Sequence, residues 1–274
     1  MSVELDIASL ANILQEAAIE EILPRFRNLG DDDVRMKSEA IDLVTEADEA
    51  AERLIASRIR ELMPTALFVG EESVAKDESL LKKLSDADLA VVVDPIDGTY
   101  NFASGLSVYG VMLSVVSKGE TVAGIIYDPM GNDWVIAEKG SGAWLCSANG
   151  EQRQMKVAVA PEFEQLIGIA NTSYFDIDVR RKILSNLADI RLFTSYRCAA
   201  HEYRIFADGH IHFVMYNKLM PWDHLAGTLI SQEAGAYAAR LDGSVYKPSD
   251  IDGGLLIAPE KETWKLLREK IFTV

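Results

Sequence analysis

The chain has 274 residues, enough for a sizeable buried core in one large domain or two small ones. About half of it is hydrophobic and a quarter charged, the balance of a globular protein, and a net charge of −16 argues against nucleic acid or anionic membrane as a main partner. A phosphate-like ligand entering so acidic a chain needs local positive charge, which a bound metal would supply. Cys146 and Cys198 are the only cysteines and lack metal-ligand spacing, so no disulfide framework is expected and a reducing, cytoplasmic compartment is. The opening MSVELDIASL has acids where a signal peptide has bases, and no apolar run reaches membrane-spanning length.

Residues 4 to about 29 place Ile7, Leu10, Leu14, Ala17, Ala18 and Ile22 at helical spacing. This predicts a long amphipathic helix, ended or bent near Pro24, with Gly30 and Asp31–Asp33 as the loop that follows. Thr45 reads as the N-cap of a second helix whose buried face runs through Ala51, Leu54, Ile55, Ile59 and Leu62 up to Pro64. ALFVGEES reads as a strand ending in a turn that carries Glu71 and Glu72, and a polar helix is expected around 77–86. Leu89–Val93 is a continuous apolar run, hence a strand buried on both faces. Pro95 removes a backbone donor, so that strand is expected to stop at Asp94. Asp97 follows three residues later, then Gly98 and Thr99.

Two carboxylates at the end of a buried strand repel each other and call for a cation; hard oxygen donors suit Mg²⁺ or Ca²⁺. Gly98 and Thr99 offer backbone amides after a tight turn, equipment for an anion. Beyond Thr99, short strands with Gly-containing turns predict an antiparallel meander through residue 147, then strands at MKVAVA (155–160) and LIGIANTS (166–173). A helix at 178–190, a strand RLFTSY, a helix CAAHEYRIFADG and a strand HIHFVMY lead to PWDHLAG, with Asp223 at a helix start. One or two strands and a helix over 260–271 close the chain. The pattern is an α/β chain with much antiparallel sheet, one domain over 1–274.

Asp48, Glu71, Asp94 with Asp97, and Asp223 stand at comparable places, and the last three sites fall where strands give way to loops or helices. Taken singly each has an ordinary explanation: Asp48 completes a capping box with Thr45, Asp223 caps a helix, and Glu71 and Glu72 are solvated loop acids. As a set they suggest a metal centre. None of the four histidines takes a ligand position.

GEES at 70–73, DPIDGTYNF at 94–102 and PWDHLAG at 221–227, preceded by DLVTEAD at 42–48, resemble in order and spacing the signature segments of the inositol monophosphatase family. A competing class, the haloacid dehalogenase-like phosphatases, uses DxDGT, whereas two residues separate the aspartates here. The resemblance implies the layered αβαβα fold shared with fructose-1,6-bisphosphatase. It also implies a homodimer that hydrolyses a small phosphate monoester with two or three Mg²⁺ ions and is inhibited by lithium. Carried over, Glu71, Asp94 and the Ile96 carbonyl would hold one metal, and Asp94, Asp97 and Asp223 a second, with Glu71 assisting a third. Asp48 and Thr99 would activate water, the Gly98 and Thr99 amides would hold phosphate, and Arg197, Ala199 and Tyr216 would face the rest of the substrate. In the inositol-specific pattern a glycine stands at 197 and a glutamate at 216; Arg197 and Tyr216 depart from it, which speaks against strict inositol specificity and leaves the metal chemistry intact. Inositol 1-phosphate, with broad specificity, is still the first substrate expected, beside histidinol phosphate, nucleotide bisphosphates and fructose 1,6-bisphosphate. A metal- or partner-binding protein on the same fold is the non-enzymatic alternative.

Overall fold

The computed structural model describes residues 5–30, 33–37 and 43–273; Asp31 and Asp32 of the expected first loop and Asp42 of the DLVTEAD segment lie outside them. The first helix, α1 (Ile7–Ala17), is capped by Asp6, runs into a π-helical turn at Ala18–Ile22, and has ended before Pro24. Strands β1 (Val34–Met36) and β2 (Leu43–Thr45) pair antiparallel and lead to α2 (Glu46–Leu62). Ala51, Ile55 and Ile59 are buried on α2 as expected, but Leu62 is 38% exposed because the last turn runs past the core.

The next elements are β3 (Leu67–Gly70), α3 (Glu71–Lys76), α4 (Ser79–Asp86) and β4 (Leu89–Asp97). Glu71 opens a helix rather than a turn. β4 does not stop at Asp94: pairing with β5 (Gly110–Ser117) continues to Asp97 through a register shift, and Pro95 sits inside that irregularity, where no ladder donor is needed. Between these strands lies α5 (Thr99–Ala103). The meander continues as β6 (Glu120–Asp128), β7 (Asp133–Glu138), β8 (Ala143–Ser147) and β9 (Gln152–Gln154). β9 replaces the strand expected at 155–160, a stretch that adopts neither strand nor helix.

β10 (Ile167–Ala170), α6 (Ile177–Leu187), β11 (Leu192–Thr194), α7 (Ala199–Ala207), β12 (Phe213–Tyr216), α8 (Pro221–Glu233), β13 (Tyr237–Arg240), β14 (Leu255–Ala258) and α9 (Lys261–Lys270) complete the order. They follow the sequence expectations closely.

A seven-stranded sheet, β3-β4-β5-β6-β7-β8-β9, and a five-stranded sheet, β11-β10-β12-β14-β13, are stacked with helices in five layers. Alternation along each strand dictates the layering. Val91 and Val93 of β4, with Val111, Leu113 and Val115 of β5, pack against Leu10, Leu14, Ile55 and Ile59 of α1 and α2. On the opposite face Met112 and Ile126 meet α7 and α8, which in turn meet Val214, Leu255 and Ile257 of the second sheet. The far face of that sheet, Phe213, Met215 and Leu256, is covered by Ile183 and Leu187 of α6 and Trp264 and Leu267 of α9. The order is therefore αβαβα. Close approach in the middle layer requires glycine twice: a Cβ on Gly124 would lie 2.8 Å from the Ala226 carbonyl, and one on Gly227 would strike the Tyr203 ring at 2.1 Å. The middle layer thus sets the N-termini of α7 and α8 against the end of β4.

Candidate active site

Asp94, Asp97 and Asp223 converge so that one oxygen from each lies within 4.8 Å of the others. The β4 irregularity presents the first two, and Asp94 Oδ1 accepts the Ile96 amide at 3.0 Å. Asp97 is held from α7: its Oδ2 accepts the Ala200 amide at 2.5 Å and the Cys198 thiol at 3.1 Å. Asp223 occupies the third position of α8, after Pro221, and so is not the N-cap expected of it; Met220 is. Burial and mutual repulsion act on all three. Asp94 is pushed well up from the carboxylate range by burial, then by the charges of Glu71, Asp223 and Asp97. Burial raises Asp223 to about 8, and raises Asp97 to about 6 against the pull of the α7 amides.

Hard oxygen donors that cannot hold their charges alone form a set suited to a divalent cation. Glu71 lines the same cavity but stands outside the triad, engaged with Lys37, whose Nζ lies 2.8 Å from its carboxylate and 2.5 Å from that of Glu72. Glu72 is buried rather than a solvated loop acid, and burial followed by the Glu71 charge raises it to about 7. α3 has no cap of its own. Glu52 of α2 replaces it, accepting the Glu72 amide at 2.7 Å and the Ser73 hydroxyl at 2.6 Å.

Asp48 serves two neighbours with two oxygens. Its Oδ2 accepts the Thr45 amide and hydroxyl at 2.8 and 2.5 Å, closing the expected capping box, while its Oδ1 accepts the Thr99 hydroxyl at 3.0 Å. The Thr99 hydroxyl also lies 2.9 Å from the Ile96 carbonyl, and its one proton serves one of these acceptors at a time. Burial outweighs the Thr45 hydrogen bonds and raises the Asp48 carboxyl to about 7. Gly98, at φ +90°, turns the chain between Asp97 and Thr99.

The cavity, about 220 Å³, is lined by Asp94, Asp97 and Asp223 together with Thr99, Arg197, Ala199 and Tyr216. The structure therefore brings every sequence-selected site residue to one place, Asp48 one hydrogen bond behind it. Arg197 has a left-handed backbone, φ +55°, where the family pattern has glycine; a side chain there costs about 1–2 kcal/mol. It does not pair with Glu202, which instead accepts the Tyr196 amide at 2.7 Å and the Ser195 hydroxyl at 3.2 Å. The guanidinium lies 4.2 Å from the Tyr100 ring centre and donates to Asn101 Oδ1 at 3.1 Å. The Tyr216 hydroxyl lies close to the Glu202 carboxyl but outside ordinary hydrogen-bond geometry. Buried His224 is neutral, lowered by burial to about 4, and links the Tyr203 hydroxyl to the Lys218 carbonyl.

Lys37, Glu52 and Cys198 were not legible as site residues. No spacing rule ties a loop lysine to carboxylates 34 and 35 residues later, or a thiol to an aspartate 101 residues earlier.

Solved structures share this architecture. An inositol monophosphatase of Thermotoga maritima superposes with TM-score 0.79 at 24% identity, covering 97% of each chain. Inositol monophosphatase II of Staphylococcus aureus gives 0.80 at 24% identity, covering 97% of this chain and 92% of the other. Layers and acidic cleft thus define a protein of the inositol monophosphatase fold. The chain belongs to the inositol monophosphatase family, whose profile matches residues 5–272. It is similar to a fructose-1,6-bisphosphatase/inositol-1-monophosphatase of Thermotoga maritima (31% identity, 77% of each chain) and an inositol-1-monophosphatase of Rhizobium meliloti (28%, 96% of each). It is also similar to the Nus factor SuhB of Escherichia coli (32%, 74% of this chain and 73% of the other).

Proposed function

We propose that the chain, acting as one catalytic unit over its whole length, hydrolyses small phosphate monoesters in the presence of two or three Mg²⁺ ions. Inositol 1-phosphate is the reference substrate and specificity is broad. The observation that carries this reading is the coexistence of the Asp94–Asp97–Asp223 triad with an intact Thr99–Asp48 contact. Asp94, Asp97, Asp223, Glu71 and the Ile96 carbonyl would hold the metal, which supplies the positive charge that phosphoryl transfer requires. Thr99 orients the attacking water and passes its proton to Asp48, whose raised carboxyl suits a base working near neutral pH. The amides of Gly98 and Thr99 receive the phosphate. A homodimer fits the exposed apolar side chains Leu192, Phe193 and Tyr196 at and just after the edge strand β11. Among the described residues no helix is long and apolar enough to cross a membrane.

Phosphate release from a panel of monoesters, with Mg²⁺ and with chelator, tests the proposal; no release from any substrate would overturn it. The second reading, a partner-binding role without turnover, draws on the name of the Escherichia coli relative. Full turnover lost on Thr99→Ala would count against it.

A further inference from the structure

We infer that Arg197 selects substrates that carry a second anionic group, phosphate or carboxylate, at the end away from the scissile phosphate. The inference rests on the phosphatase reading and narrows its substrate class.

Two cations line the same cavity as the acidic triad, Arg197 and Lys218. Acids outnumber bases by 43 to 27 in this chain, yet among the described residues neither cation is in a salt bridge. Each is held by an aromatic face instead, Arg197 on Tyr100 at 4.2 Å and Lys218 over Tyr174 at 5.3 Å. Arg197 is further fixed by the neutral amide of Asn101, itself buried and tied to the Val108 and Tyr196 carbonyls at 2.9 and 2.7 Å. The guanidinium, on an exposed residue, is thus held in place with no carboxylate paired to it, and its planar fork matches a carboxylate or phosphate. In the lining of the same cavity, position 216 carries a phenol where the inositol-specific pattern has a carboxylate. Relative to that pattern both departures act in one direction, adding positive and removing negative charge from the cavity lining, in which Glu202 beside Tyr216 is still a carboxyl. With the triad's charge met by metal, this lining would attract an anion and gain little from a neutral polyol.

The full chain with Mg²⁺ would be assayed on fructose 1,6-bisphosphate and 3-phosphoglycerate, and on inositol 1-phosphate and glycerol 2-phosphate as neutral references. The wild type should favour the two-anion substrates in kcat/KM, mainly through KM, and the better of the two names phosphate or carboxylate as the group read. In Arg197→Gln the ratio of two-anion to neutral kcat/KM should fall about ten- to a hundred-fold, the worth of a charge-assisted contact, with part recovered in Arg197→Lys. A ratio unchanged by Arg197→Gln would overturn the inference, whatever the absolute rates.

A binding readout separates this failure from failure of the phosphatase reading. 2-Carboxyethylphosphonate should raise Tm more than propylphosphonate in the wild type, and the difference should vanish in Arg197→Gln. Equal shifts in the wild type would overturn the inference even if turnover is found. Absence of turnover on every substrate would overturn only the phosphatase reading.

Discussion

The Thr99 hydroxyl and the Asp48 carboxylate, 51 residues apart, meet at 3.0 Å through the oxygen of Asp48 that its helix cap does not use. Capping and catalysis can therefore be separated by one substitution. In Asp48→Asn the amide oxygen can still accept the Thr45 N–H, while the amide nitrogen faces Thr99 as a donor and breaks the relay. The variant should lose ~1 kcal/mol of stability or less. Its kcat should fall by about 10²–10⁴. Thr99→Ala should match it, and the double variant should be little worse than either single change, because the pair acts as a unit. Additive losses in kcat would argue that the two residues work separately.

The Asp94–Asp97–Asp223 triad should make the protein metal-dependent in activity and in stability. Only the folded chain assembles the site, so Mg²⁺ at a hundred times its Kd should add about 2.7 kcal/mol, read as a rise in Tm. Asp223→Asn relieves repulsion between a half-buried carboxylate and two buried ones, so the chelated variant should melt above the chelated wild type. It should also lose both the Mg²⁺-induced shift and turnover. A variant that melts lower in chelator, or still responds fully to Mg²⁺, would contradict this account of the triad.

Gly70 places Glu71 by leaving room for Glu52. A Cβ at position 70 would fall 2.3 Å from the Glu52 carboxyl carbon, displacing the group that caps α3. Gly70→Ala should therefore cost about 1–3 kcal/mol, the usual effect of overpacking. Denaturant unfolding measures that loss, and weaker Mg²⁺ affinity should accompany it because Glu71 opens the same helix. Glu52→Gln, which keeps one acceptor, should be milder than Glu52→Ala.

Glu202 should leave a mark on the pH dependence of stability. Burial raises its carboxyl to about 7 in the folded chain, against 4.5 when exposed. The folded state then holds a proton that the unfolded state has released, so this contribution is fully present below pH 4.5 and lost as pH rises to about 7. Its slope is at most about 1.4 kcal/mol per pH unit. Glu202→Gln keeps an oxygen for the Tyr196 amide and does not titrate. In metal-free protein the variant should gain on the wild type across that window and hold a constant difference above it, as urea unfolding at several pH values would reveal. A pH-independent difference would mean the Glu202 carboxyl is not raised.

The sequence by itself determined the element order, the alternation that packs each sheet on both faces, and the short-range motifs that carry chemistry. Asp94 and Asp97 lie three residues apart, and Thr45 and Asp48 form a capping box, so local geometry alone places each pair. The end of β4 was misread because Pro95 terminates a regular ladder, whereas the observed ladder shifts register and tolerates it. The strand expected at 155–160 failed for a related reason: its apolar alternation matches a strand, but the meander supplies its last partner at Gln152–Gln154. Only the tertiary structure decided which distant groups meet. Lys37 on Glu71 and Glu72, Glu52 under α3, the Ala200 amide and Cys198 thiol on Asp97, and Arg197 on Tyr100 and Asn101 all depend on how layers stack. Stacking is fixed by side-chain volume and burial summed over whole faces, a property of no single stretch of chain, so contacts across layers leave no periodic trace in the sequence.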